Sequence, residues 1–262
     1  MKYYLLAGEA SGDLHGANLM KALYKQDPDA DIRFWGGDLM ASVGGTLVTH
    51  YKDRAFMGFI EVITNLFKIT KLIAQCKKDI EAFSPDALIF IDNSGFNLRI
   101  AKWAKPKGFN THYYISPQVW ASRARRVKTI KATIDHMYVV LPFVEAFYNE
   151  YKYPVHFVGH PLIDAIHDRS LVSGAEFRKE HKLDEREIIA LLPGSRKQEI
   201  SKMLKVMLGV VENFPTYQFV IAGAPSQEAA FYTPFIKKQN VHLILNKTYD
   251  LLSVSTAALV TS

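Results

Sequence analysis

Short apolar runs rich in β-branched and aromatic residues recur along this chain, and most are separated by segments whose apolar residues fall three and four apart. The runs occupy 3–7, 31–35, 87–91, 111–115, 137–141, 156–158, 188–192, 218–222, 241–245 and 257–260. Helical spacing is clearest at 14–24, 98–104, 144–151 and 203–211. Parallel strands need a crossover, usually a helix, so this alternation selects parallel sheets covered by helices on both faces. Many runs end in a turn-forming residue: Gly8, Gly36, Asn93, Ser116, Pro142, Gly159, Pro193 and Gly223. In open α/β sheets, ligands collect beyond such carboxyl ends.

The polar stretch 168–187 holds no strong strand run and sets the expected domain boundary. The reading is therefore an α/β chain of two doubly wound domains, 1–167 and 168–262, facing each other across a cleft. Only about four strands follow residue 168, fewer than such domains usually carry. The sequence stops at Ser262 directly after one of them, so the second domain is expected to be incomplete.

Composition narrows the chemistry. A hydrophobic share of 48% and a charged share of 22% over 262 residues are those of a globular chain with a large core. The single cysteine, Cys76, leaves no internal disulfide and no cysteine cluster for zinc or iron–sulfur, and it suits a reducing compartment. The run 3–7 is too short for a signal-peptide core, and Glu9 and Asp13 follow at once. No stretch reaches the ~20 apolar residues of a membrane span. A formal charge of +6 favours anionic partners without choosing among nucleotide, nucleic acid and phospholipid.

The junction L-L-P-G-S-R at 191–196 carries the most specific chemistry. A buried strand feeds through Pro193 and Gly194 into a helix expected to open at Ser195. Free amides at that helix end would favour phosphate, Gly194 would allow close approach, and Arg196 could pair with phosphate oxygens. An ordinary Ser cap with a solvated Arg is the alternative. After the first strand comes Gly8-Glu9-Ala10-Ser11-Gly12-Asp13. Ser11 or Asp13 could cap the next helix, while Glu9 would point into the cleft. The spacing of Gly8, Gly12 and Gly16 is wrong for a dinucleotide loop. The strand 87–91 runs into Asp92, which either holds a loop or serves as a base whose pKa desolvation would raise.

Three further segments stand out. From Phe59, the apolar residues Ile60, Val62, Ile63, Leu66, Phe67, Ile69 and Ile73 cover about half a helical wheel, wider than the ~100° stripe of a core helix. Lys68, Lys71, Lys77 and Lys78 lie beside them, and Leu72 falls outside the stripe. Core packing is the commoner role for such a helix; docking on an anionic membrane is the reading favoured here. Trp120 sits in a polar loop before Arg123, Arg125, Arg126, Lys128 and Lys131, a pattern fit for nucleic acid, a phosphorylated amphiphile or plain solvation. His160 in G-H-P reads as a hydrogen-bonded hinge, and His15, His112 and His136 lack metal-binding spacing.

Together these segments resemble the lipid-A-disaccharide synthase family of glycosyltransferases. The resemblance rests on A-G-E-A-S-G-D at 7–13, F-M-G-F-I-E-V at 56–62, I-D-x-x-G-F-N at 91–97, Y-I-S-P-Q-V-W-A at 114–121, F-V-G-H-P-L-I-D at 157–164 and L-L-P-G-S-R at 191–196. Their order and spacing match over the whole chain, although Ser122 stands where the family often has Trp. The resemblance implies a GT-B-like fold of two Rossmann-like domains, the first for the acceptor and membrane, the second for the nucleotide sugar. It implies transfer of 2,3-diacylglucosamine from its UDP conjugate to 2,3-diacylglucosamine 1-phosphate, forming the β-1,6 disaccharide and UDP.

Residue by residue, the resemblance makes Asp92 the general base for the acceptor 6-hydroxyl and Glu9 an acidic residue of the site. It lines the cleft with Ser11, Met57, Gly58, Glu61, Asn97 and Trp120, and puts Gly194, Ser195 and Arg196 on the nucleotide. The membrane face would carry Ile63, Leu66, Phe67, Lys68 and Lys71. No cofactor or metal is implied, and no nucleic acid; the partners are the two sugar lipids and an anionic membrane surface, with a homodimer left open. The location implied is the cytoplasmic face of the bacterial inner membrane. The family continues past the last strand into a Ser-Gly-Thr-x-x-x-Glu segment, of which Ser262 is the first residue. Competing readings are an enzyme like UDP-N-acetylglucosamine epimerase, another GT-B enzyme, or a non-catalytic nucleotide-binding, membrane-docking module.

Overall fold

The computed structural model describes residues 1–54, 66–122, 124–167 and 172–261. The chain forms two units, Met1–Leu162 and Ile163–Ser262. In the first, seven strands form one sheet: β1 Lys2–Ala7, β2 Asp31–Gly36, β3 Thr46–His50, β4 Ala87–Ile91, β5 Thr111–Tyr114, β6 His136–Val139 and β7 His156–Phe157. Their order is β3-β2-β1-β4-β5-β6-β7, and every pairing is parallel. The chain winds outward from β1, returns to β4 and winds the other way. The topological switch point thus lies between β1 and β4, where Ala7 pairs with Ile91.

The second unit repeats the plan with β8 Glu187–Leu192, β9 Tyr217–Gly223, β10 Val241–Leu245 and β11 Ala257–Val260. Its order is β10-β9-β8-β11, again all parallel, so its switch point lies between β8 and β11. The expected α/β, doubly wound class is the observed one.

Burial on both faces explains why the strands read as unbroken apolar runs. Tyr4, Leu6, Leu88, Phe90, Tyr113, Met137 and Val139 join one core. Their neighbours Leu5, Ala7, Ile89 and Ile91 join the other, with Ile32 and Phe34. Successive residues point to opposite faces, so a strand covered on both sides needs apolar side chains at nearly every position. The strand missing from the sequence reading is β3, an edge strand whose five residues are all partly or fully exposed. Gly45 before it has φ +75, and a Cβ there would come within 2.6 Å of the Ile32 carbonyl oxygen.

The helix Leu66–Phe83 corrects part of the membrane reading. Cys76 and Ile80 are fully buried, and Leu72 and Ile73 pack against the same core. Asp79 accepts hydrogen bonds from the Tyr4 hydroxyl at 2.6 Å and from Arg33 Nε and Nη2 at 2.9 and 2.6 Å. Trp35 Nε1 donates in turn to the Tyr4 oxygen at 2.9 Å. This bidentate, charge-assisted pair ties the helix to β1 and β2, and burial pushes the Tyr4 phenol pKa well up, keeping it a donor. Leu72 and Ile73 are therefore core residues. Lys77 lies 5.6 Å from the Trp103 ring centre, and Lys71 is exposed.

Candidate functional site

At the first switch point, β1 passes through Gly8 into the helix Ala10–Gln26, with Glu9 as its N-cap residue and no side-chain cap. The expectation that Ser11 or Asp13 caps this helix is corrected: both lie inside it. Ser11 is exposed on the first turn. Asp13, 2% exposed, accepts hydrogen bonds from the backbone N–H groups of Gly37, Leu39 and Met40 at 2.7, 3.0 and 3.1 Å. It clamps the loop after β2.

The loop after β4 has a stranger backbone. Asp92 and Asn93 are both left-handed, with φ of 46° and 40°. Asp and Asn tolerate that region better than other non-glycine residues, yet each still costs on the order of 1 kcal/mol. The surroundings offset this. Asn97, 1% exposed, directs its side-chain amide at the carbonyls of Leu6, Ile91 and Asp92 at 3.3, 3.2 and 2.9 Å. The buried Tyr113 hydroxyl also donates to the Asp92 carbonyl. Gly8 completes the fit, since a Cβ there would lie 1.9 Å from Asn93 Nδ2. The turn bearing Glu9 thereby meets the loop bearing Asp92.

Two expectations change here. Asn97 does not line a ligand surface; its amide holds the strained loop, and Asn93, Tyr113 and Gly8 share that work. Asp92 is exposed, so burial does not supply the expected desolvation. The sequence signal for the loop was the D-N dipeptide closing a strand, since those residues enter the left-handed region most readily. Nothing in the sequence pointed to Tyr113.

Trp120 lies past the end of β5, in the helical turn Val119–Ser122, 41% exposed. Its indole N–H donates to Gln118 Oε1, and its ring meets Phe143 edge-on at 5.0 Å. Both aromatics follow strands of the first sheet, Trp120 after β5 and Phe143, the first residue of the helix Phe143–Glu150, after β6. Met57, Gly58, Glu61 and Ile63 lie outside the described residues, as do the side chains of Leu66, Phe67 and Lys68. His160 is hydrogen-bonded locally, its Nδ1 accepting the Leu162 N–H at 3.3 Å. His15 is buried; desolvation, then nearby His160, lowers its pKa. His112 and His136, far apart in sequence, stack at 4.6 Å, and burial followed by His136 lowers the His112 pKa to about 4. Among the described residues, no group of three or more His, Cys, Asp or Glu side chains could hold a metal ion.

At the second switch point the loop after β8 carries Gly194, Ser195 and Arg196. Gly194 has φ +103, and a Cβ there would lie 2.5 Å from Glu199 Oε2. The helix opens at Lys197 with Arg196 as its N-cap residue, not at Ser195 as the sequence suggested. The Ser195 and Arg196 amides donate to Glu199 Oε2 at 3.2 and 3.3 Å, and the Arg196 guanidinium lies 3.9 Å from Glu199 Oε1. The amides expected to be free thus hold the chain's own carboxylate. Glu199 was absent from the sequence-based site.

Comparison with known proteins bears on this pair of switch-point loops. A family profile described as lipid-A-disaccharide synthetase matches residues 3–262. The chain is 40% identical to the lipid-A-disaccharide synthase of Syntrophus aciditrophicus, covering 98% of this chain and 69% of that protein. It is 38% identical to that of Geobacter metallireducens, over 97% and 67% of the two chains. The chain thus spans about two thirds of the length of these relatives. Among solved structures, the UDP-GlcNAc 2-epimerase of Neisseria meningitidis bound to UDP-GlcNAc is 14% identical with a TM-score of 0.69, covering 100% of this chain and 78% of that one. The Methanocaldococcus jannaschii UDP-GlcNAc 2-epimerase in complex with UDP-GlcNAc and UDP is 12% identical, with a TM-score of 0.69 over 100% and 79%. Identities this low show the fold alone, of GT-B type, and give the epimerase reading no further weight. The profile match and the curated relatives agree, and the chain belongs to the lipid-A-disaccharide synthase family of glycosyltransferases.

Proposed function

We propose that this chain joins UDP-2,3-diacylglucosamine to 2,3-diacylglucosamine 1-phosphate, with Asp92 as general base. The observation that carries the assignment of roles is the exposed Asp92 side chain on a braced left-handed loop at the switch point of the first sheet. Asp92 takes the proton of the acceptor 6-hydroxyl as that oxygen attacks the donor's anomeric carbon. The bond from that carbon to the diphosphate breaks, and UDP leaves with its charge held by Arg196 and the Ser195 and Arg196 amides. Glu9, Ser11 and Trp120 border the acceptor. In this reading the first unit takes the acceptor and the second the nucleotide sugar. The test supplies both diacylated sugars and measures disaccharide 1-phosphate and UDP. Epimerisation of UDP-GlcNAc with no disaccharide formed would overturn the reading.

For the nucleotide end, a diphosphate must displace Glu199 from the loop amides. Arg196→Ala is expected to weaken UDP binding by up to ~3 kcal/mol, the scale of charge-assisted hydrogen bonds. Glu199→Gln removes the competing charge and should tighten it. Calorimetry on the full-length protein decides: an unchanged UDP Kd in both variants would leave the loop as a helix cap only.

Membrane docking is the second part of the proposal. Among the described residues, no helix is long and apolar enough to cross a bilayer, and the substrates proposed carry acyl chains. With Ile73 packed against the core, the docking face proposed centres on Ile63, Leu66 and Phe67, with Lys68 and Lys71 adding about 1 kcal/mol each near anionic lipid. Changing Ile63, Leu66 and Phe67 to Ser should reduce co-sedimentation with anionic vesicles, as should added salt. Undiminished vesicle binding with a collapsed Tm would place those residues in the core too.

A further inference from the structure

We propose that Arg126 and the Ser94 hydroxyl form an anion subsite, beside Asp92, for the phosphomonoester of the acceptor sugar. This rests on reading Asp92 as the base toward an acceptor hydroxyl. The basic segment after Trp120 divides sharply by burial: Arg125, Lys128 and Lys131 are exposed, while Arg126 is partly buried. Val127 and Ile130 of the next helix, Val127–Thr133, are core residues, so the backbone beneath Arg126 is anchored. Its guanidinium donates from Nη1 to Ser94 Oγ at 2.9 Å. Among the described residues no carboxylate pairs with it.

A guanidinium has five donors and a permanent charge, and one neutral hydroxyl satisfies little of either. Its remaining donors, partly withdrawn from water, favour an arriving anion. Ser94 opens the helix Ser94–Ala104, two residues past Asp92. The hydroxyl that Arg126 holds therefore belongs to the same loop end whose Asp92 carbonyl accepts from Tyr113. Beside Ser94, among the described residues and apart from Gly95's own neighbours and helix backbone, no heavy atom lies within 4 Å of where a Gly95 Cβ would stand. A base and a cation so near on one open edge match a single sugar that presents a hydroxyl at one end and a phosphate at the other. The planar fork of Arg suits two oxygens of a phosphomonoester.

The test is steady-state kinetics of the full-length protein with detergent-dispersed substrates, together with equilibrium binding of glucosamine 1-phosphate. Arg126→Gln should raise the acceptor KM tenfold or more, leave the donor KM unmoved, and weaken glucosamine 1-phosphate binding by a similar factor. Arg126→Lys should restore part of the loss, and Ser94→Ala should give a smaller one. Wild-type protein should prefer the phosphorylated acceptor over its dephosphorylated analogue, a preference that Arg126→Gln erases. A raised donor KM would instead assign Arg126 to the nucleotide diphosphate and overturn the proposal. So would lost anionic-vesicle binding with the acceptor KM intact, which assigns it to lipid head groups. Glucosamine 1-phosphate binding that depends on Arg126, in a protein that transfers nothing, would sustain the subsite while refuting the role given to Asp92.

Discussion

Asp92→Asn in the full-length protein should lower turnover by about two orders of magnitude or more while UDP binding persists, the range lost with a general base. The substitution keeps size and polarity but removes the proton acceptor. It also suits the backbone, because Asn accepts φ near 46° as readily as Asp does. Asn97 and Tyr113 bond the carbonyl of residue 92, not its side chain, so their hold on the loop survives. Nucleotide contacts are assigned to Ser195 and Arg196 in the other unit, and the donor Kd should therefore not move. Near-normal turnover would return Asp92 to a loop-holding role. A joint fall in turnover and Tm would show that the loop had been disturbed instead, and Asp92→Glu, which keeps the charge, would then separate the two.

Much of this fold was legible because both cores demand apolar strands. All ten expected runs are strands within a residue or two of their bounds, among them β4, whose five residues are all buried. The strand β3 escaped because an edge strand needs no such run: Thr46 and Leu47 are exposed, and the rest are half-buried. The candidate site was legible as a set of strand ends and obscure in its wiring. Asn97 read as a ligand-facing residue because sequence position cannot show which way an amide turns; the packing of β1 against β4 turns it inward. Glu199 was overlooked for a related reason. Its charge meets the Ser195 amide only once Gly194 has taken up φ +103, a conformation no helical period reports. Leu72 and Ile73 were misjudged because the width of an apolar arc does not say whether protein or lipid covers it.

Asp13→Ala should produce the largest loss of stability, about 3 kcal/mol or more. The carboxylate is 2% exposed and is the acceptor for three backbone N–H groups, those of Gly37, Leu39 and Met40. The Gly37 and Met40 bonds are buried and that of Leu39 partly so; each buried donor left unpaired costs about 1–3 kcal/mol, and water entering the vacated space recovers only part of that. Close fit limits relaxation: a Cβ on Gly37 would already stand 2.7 Å from Asp13 Oδ2 and 2.3 Å from the Tyr51 ring. For a folding unit of this size, about 3 kcal/mol corresponds to a fall in Tm of roughly 6–12 °C. Asp13→Asn, which keeps one acceptor oxygen but brings an NH2 against the same amides, should fall between wild type and Ala. Turnover below the melting transition should drop as well, because Asp13 sits one turn after Glu9, the N-cap residue of its helix, and anchors that helix's first turns. A Tm within about 2 °C of wild type in Asp13→Ala would mean that those amides find other acceptors and that Asp13 is not the clamp of the β2 loop.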